Sequence, residues 1–381
     1  MPRAPRLAGL ALALGVAAAQ AAVMPVPAGP DDAVVEVLPQ VTRLRPAASS
    51  AAADSLARPA VPQAAALARE AIDTARRTGD ARYWGRARAA LGAWWDDPRA
   101  PADLMVLQAT VLQGQHAFDA AALRLQQALS ADPLNAQAWL TLATLQRLQA
   151  RYDEALRACA GVARAGAGFH ARACALELRS LRGEDTARDW AALAAAAPDP
   201  GSLAWVQSLW GEHLERQGDD RGAATRYEDS LRAAPDLYTA LALADLRLRG
   251  QQPDAALQAL ANQPETDAVL LRRAAAWRQR GDARWQTALV ALLDRQRSLE
   301  RRGEDLTPHA REFGLMALWL QDDPRAALRW AERNLTLQKE PIDWWIALES
   351  ARRTRQIDRL AAWREQLAAA GLRDVRLRVA S

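Results

Sequence analysis

The chain has 381 residues, more than one compact core usually serves, so two domains or one extended repeat array are the natural architectures. Alanine and leucine dominate while Val, Ile, Thr, Tyr and Phe are sparse, which argues against a sheet-based fold and predicts an almost wholly helical chain. The formal charge of +4 comes from arginine, with Lys339 the one lysine, and acids are scattered with it along the whole length; this is a solvated helical face rather than a nucleic-acid-binding stripe.

The first 21 residues are expected to be removed. Arg3 and Arg6 form a basic start, Leu7 to Ala19 is an uncharged, mostly apolar run, and Ala19-Gln20-Ala21 supplies the small-x-small pattern before Ala22. A helix over that run is too short to cross a hydrocarbon core of about 30 Å, so export outweighs a permanent anchor. No cysteine follows the run, which removes the acylation point of a lipoprotein. The mature chain, stripped of two arginines, is expected to be soluble, without a transmembrane segment, in the periplasm or another exported compartment.

Residues 22–62 are rich in Pro, Ala and Ser, with prolines at 25, 27, 30, 39, 46, 59 and 62, and predict an extended leader. Within it, residues 33–38 form either a short strand or an apolar strip laid on the first helices. From residue 63 to 371 amphipathic segments alternate with Gly, Asp-Pro or Gly-Asp breaks, and residues 372–381 remain as a C-terminal tail.

The stretch ARYDEALRAC at 150–159 has a counterpart 34 residues earlier, HAFDAAALRL at 116–125. That step carries Phe118 onto Tyr152, Ala121 onto Ala155, Leu125 onto Cys159, Met105 onto Trp139 and Ala109 onto Ala143. Two further steps bring in Leu193, Tyr227 and Gly211. Each unit thus presents Trp139, Leu142 and Ala143 on one helix face, then Tyr152, Ala155, Cys159 and Val162 on a second, with small residues letting the helices approach. Asp132-Pro133 and Ala234-Pro235 end second helices.

This pattern resembles the tetratricopeptide repeat. It is clearest at 102–169 and 204–237; residues 170–203 keep the length but carry Glu177 and Asp189 at small-residue positions, so that unit is distorted or shifted. Beyond 237 the match continues as echoes. Residues 322–330 repeat 219–227, and Gly281-Asp282-Ala283-Arg284 repeats Gly79-Asp80-Ala81-Arg82. The resemblance implies an all-α, right-handed superhelical solenoid of antiparallel helix pairs.

Candidate chemical groups are few. Asp153 and Glu154 fall on the wet face of a second helix and make a poor acid–base pair. His116, His170, His213 and His309 stand far apart in sequence without metal spacing, and Gly166-Ala167-Gly168 lacks the strand and Lys-Ser/Thr of a phosphate loop, so neither metal nor cofactor is expected, nor an enzyme. Fourteen tryptophans stand against three phenylalanines. Of the adjacent pairs Trp94-Trp95 and Trp344-Trp345, one member each should lie at a groove or surface. Cys159 and Cys174 would face each other across antiparallel helices, open either to a disulfide or to two packed thiols.

The resemblance also implies a concave groove lined by first helices: Gln137, Leu140, Thr144, Arg147, Trp205, Ser208, Glu212 and Glu215. Changing Trp205 or Arg147 should weaken partner capture without unfolding the chain. The expected function is a non-catalytic exported scaffold for protein partners in the bacterial cell envelope, without nucleic acid. The alternative is an accessory role in polysaccharide secretion or enzyme assembly, with a polysaccharide in the groove.

Overall fold

The computed structural model describes residues 59–379. The expected removable segment at 1–21 and the 33–38 strip lie outside the described residues. No strand occurs among those described.

The helices follow one another as antiparallel neighbours. The first two pairs are α1 (Val61–Thr78) with α2 (Arg82–Ala90) and α3 (Ala102–Gly114) with α4 (Phe118–Ala131). Next come α5 (Ala136–Leu148) with α6 (Tyr152–Arg164), α7 (Gly168–Leu181) with α8 (Ala187–Ala195), and α9 (Pro200–Gln217) with α10 (Asp220–Ala233). Then follow α11 (Leu237–Arg249) with α12 (Pro253–Ala259) and α13 (Asp267–Gln279) with α14 (Arg284–Arg301). The last pairs are α15 (Ala310–Met316), which runs on as a π-helical stretch Ala317–Gln321, with α16 (Pro324–Leu335), and α17 (Pro341–Arg353) with α18 (Ile357–Ala370). A short α19 (Arg376–Val379) closes the series. The fold is a tetratricopeptide-like helical solenoid.

Local sequence explains the boundaries. Side chains of Asn135, Asp199, Asp236 and Thr266 accept the N–H three residues on, capping α5, α9, α11 and α13. Pro62 sits in the first turn of α1, where a missing N–H costs nothing, so the array starts inside the stretch assigned to the leader. Between the helices of a pair the chain needs one left-handed residue. It recurs at His116, Ala150, Gly183, Gly218 and Gln251, a step of 33 to 35 residues.

Packing between partners is close. Tyr152, Ala155, Cys159 and Val162 are buried while Asp153 and Glu154 are exposed. A Cβ on Gly161 would stand 2.3 Å from the Trp139 ring, and one on Gly211 2.6 Å from the Tyr227 ring, so both glycines are holes for aromatic knobs. In the irregular unit α8 is only nine residues long. Asp189 points outward to Arg179, and the adjacent Trp190, fully buried, fills the seam instead.

The array curls until its ends meet its middle. Residues of the second to fourth pairs share one hydrophobic core with residues 244–377. The Lys339 N–H donates to Leu148 O at 2.7 Å, bringing the start of α17 to the end of α5. Residues 372–379 are no loose tail: Leu372, Asp374 and Leu377 are buried, and the N–H groups of Arg373 and Val375 donate to Leu181 O and Arg216 O at 2.8 and 3.0 Å. The carbonyls at the ends of α7 and α9, left over by helix geometry, are satisfied this way.

Candidate functional site

Six of the eight residues expected in the groove line one cavity of about 350 Å³: Leu140, Thr144, Arg147, Trp205, Ser208 and Glu212. First helices α5 and α9 supply them, because residues three and four apart share a helix face. Leu178 and Leu209 add apolar wall, and Tyr238 and Asp236 from the start of α11 close one side. Trp205 is half-buried and its ring stacks on His170, centroids 5.8 Å apart. Glu212 accepts from the Tyr238 hydroxyl at 2.8 Å.

Gln137 is exposed outside the cavity and bonds Thr141. Glu215 lines an adjoining space of about 160 Å³ that shares Glu212 and Tyr238 with the groove cavity. It is buried and accepts from the Tyr227 hydroxyl and from Arg249 and Arg376 at 2.8, 2.6 and 2.8 Å. Burial alone would raise its pKa, but the guanidiniums of Arg376 and Arg249 outweigh that and hold the carboxyl below its usual range. Its valences are spent inside the protein.

Arg147 also differs from the expectation that it could be replaced without harm to the fold. Its side chain is 16% exposed and bridges Glu177 at 3.0 Å and Glu340 at 2.8 Å, the latter 193 residues away. Glu340 in turn meets Arg311 at 2.8 Å, and Arg311 meets Asp343 at 2.7 Å. Burial opposes ionisation of Glu340, yet Arg311 and Arg147 hold it at about 2. At Glu177 burial wins over Arg147 and the pKa is raised. Removing Arg147 would leave two buried carboxylates short of a partner, a structural loss rather than a lost contact surface.

The start of α17 and the C-terminal segment are therefore seated on the ends of α5, α7 and α9. The sequence could not show this: each group in the Arg147–Glu340–Arg311–Asp343 chain looks like an ordinary surface charge until the array is folded back.

Cys159 and Cys174 are joined in a disulfide with a Cα–Cα distance of 5.7 Å, and Cys174 lines the groove cavity. Among the tryptophan pairs, Trp95 and Trp344 are buried, while Trp94 and Trp345 are half-buried. The Trp94 indole N–H donates to Pro59 O. His116 and His309, distant in sequence, border one cavity of about 940 Å³ with Glu312 and Asp267. Among the described residues no cluster of His, Cys, Asp and Glu has the arrangement to hold a metal ion, and no helix is long and apolar enough to cross a membrane.

No known family profile matches the chain, and no curated protein matches it. Among solved structures it is similar to Pseudomonas aeruginosa PilF, at 18% identity and a TM-score of 0.30 over 61% of this chain and 90% of that one. It is similar to human IFIT1, solved as a dimer with PPP-AAAA, at 13% identity and a TM-score of 0.41 over 68% of this chain and 69% of that one. A tetratricopeptide repeat protein from Parabacteroides merdae aligns at 13% identity and a TM-score of 0.32 over 75% of this chain and 98% of that one. Each superposition is loose, and the repeat assignment rests on the 34-residue period and helix pairing of this chain itself.

Proposed function

We propose that the chain is an exported, non-catalytic scaffold that holds protein partners in the bacterial cell envelope. The observation that carries the reading is the cavity between α5, α7, α9 and α11, where an apolar floor and the Trp205 indole stand beside Thr144, Ser208 and Glu212. Such a lining accepts an apolar side chain of a partner and orients it by a few hydrogen bonds. Export is supported by the basic, apolar and small-x-small order of residues 1–21 and by the Cys159–Cys174 bridge, since disulfides persist in oxidising compartments.

The test is crosslinking in the native envelope with wild type, Trp205→Ala and Thr144→Trp, each first shown to melt like wild type. One set of partners captured by wild type and lost from both variants is the expected result. Capture unchanged in both would remove this cavity as the binding site. A polysaccharide that quenches tryptophan fluorescence in wild type and not in Trp205→Ala would favour the polysaccharide-accessory role instead.

A further inference from the structure

A second cavity, of about 500 Å³, shares no lining residue with the groove cavity. Leu248, Leu318, Trp319, Ile342 and Trp345 form its apolar walls. Its volume and lining match those of small-molecule sites, which are mostly apolar with a few placed polar groups. Trp345 is the outward member of the Trp344-Trp345 pair, and this cavity is where its ring goes.

Trp319 lies in the π-helical stretch Ala317–Gln321. The stretch ends at Asp322, left-handed at φ 54°, whose N–H donates to Ala317 O, five residues back where an α-helix would reach four, and the Asp323 N–H meets the same carbonyl at 3.0 Å. The Trp319 carbonyl, in the last turn and without a donor from its own helix, accepts from Arg278 on α13. Widened turns of this kind recur at functional sites because they re-aim side chains at the expense of a regular ladder.

The charges around the cavity differ in their state. Arg249 is neutralised by Glu215 and Asp220, Arg353 by Asp322, and Arg376 by Glu215 and Asp374. The two acids of the lining are also taken, Asp245 by Arg272 and Glu349 by Arg352. Arg278 is the exception. It is half-buried, touches the Trp319 carbonyl and lies 5.3 Å from the centroid of the Trp285 ring, and no carboxylate of a described residue pairs with it. A guanidinium has five N–H donors in a planar fork, so donors remain for a ligand. One uncompensated cation beside apolar walls suits a monoanion, and the fork suits a carboxylate held through two parallel hydrogen bonds. Asp245 and Glu349 disfavour a more highly charged group.

We infer that this cavity binds a small monocarboxylate with an apolar body, Arg278 taking the carboxylate while Trp319, Trp345 and Ile342 enclose the body.

The test is calorimetric titration of the full chain with octanoate and 3-phenylpropionate, beside octylamine and octanol as probes of the same apolar body without the anion. At least one carboxylate is expected to bind with a dissociation constant below about 1 mM, and the amine and alcohol at least about tenfold more weakly. Arg278→Gln should weaken the carboxylate by about tenfold or more while leaving the alcohol unchanged, and Ala275→Trp, which fills the cavity, should abolish both. Equal binding of octanoate and octylamine by the wild type, which needs no variant to fold, would overturn the assignment. So would absence of binding by either carboxylate, or undiminished binding by a folded Ala275→Trp.

Discussion

His213 shows what burial does to a titratable group in this molecule. Its ring is 3% exposed, with Nδ1 2.7 Å from the Ser180 hydroxyl, which also accepts from Arg216 at 2.8 Å. Burial first, then the Arg216 cation, push its pKa down to about 4, against 6.5 for a free imidazole, with Asp185 opposing weakly. The folded pKa is the lower one, so the unfolded chain binds the proton more readily between those values. The stability contributed by neutral His213 is complete above about pH 6.5 and is lost as the pH falls towards about 4. Denaturant unfolding of wild type and His213→Gln across that range is expected to show the wild type's advantage shrinking on acidification. Parallel pH profiles would contradict the shift. From the sequence alone His213 was one of four isolated histidines, because Ser180 of α7 and Thr186 at the start of α8, which face its ring, are about 30 residues away in the chain.

At the scale of elements, the helices themselves were largely legible and the turns were not. Tyr152, Ala155 and Cys159 announced a buried face through their spacing, and the same spacing placed Asp153 and Glu154 in water. The left-handed turn residue, by contrast, recurs with the period of the array and is glycine at Gly183 and Gly218, but it is carried elsewhere by His116, Ala150, Gln251, Asp322 and Arg355, none of which advertises that conformation as glycine does. The positions are set by the packing of the paired helices, which overrides local preference. Arg355, exposed at φ 58° in the turn between α17 and α18, offers a clean test. Arg355→Gly is expected to stabilise the protein by about 1 kcal/mol, since the steric cost of Cβ in that region is about 1–2 kcal/mol and part is offset by the freer unfolded chain. A loss of stability in thermal or urea unfolding would show that the strain is absent. The π-helical stretch at Ala317–Gln321 was equally invisible, because ALWLQ reads as ordinary helix and the widening shows in the Asp322 N–H reaching back to Ala317 O.

For the whole molecule, the period gave the solenoid and its order of pairs, and six of the eight residues assigned to the groove meet at one cavity. What the period could not reveal is closure. A repeat pattern describes contacts between neighbours, whereas Arg147 with Glu340, Lys339 with Leu148, and Arg373 with Leu181 join parts of the chain that the pattern treats as unrelated. Closure changes the meaning of the interior: Arg147 and Glu215 become struts between parts of the chain distant in sequence.

The most direct measurement of this closure is a double-mutant cycle on Arg147→Met and Glu340→Gln, read by equilibrium unfolding. Two residues 193 apart in the chain can couple strongly only if α17 is docked on α5. A coupling of about 1–3 kcal/mol is expected, the range for contacting members of a charged network. Additivity within about 0.5 kcal/mol would mean that the two residues do not meet and that the array stands open.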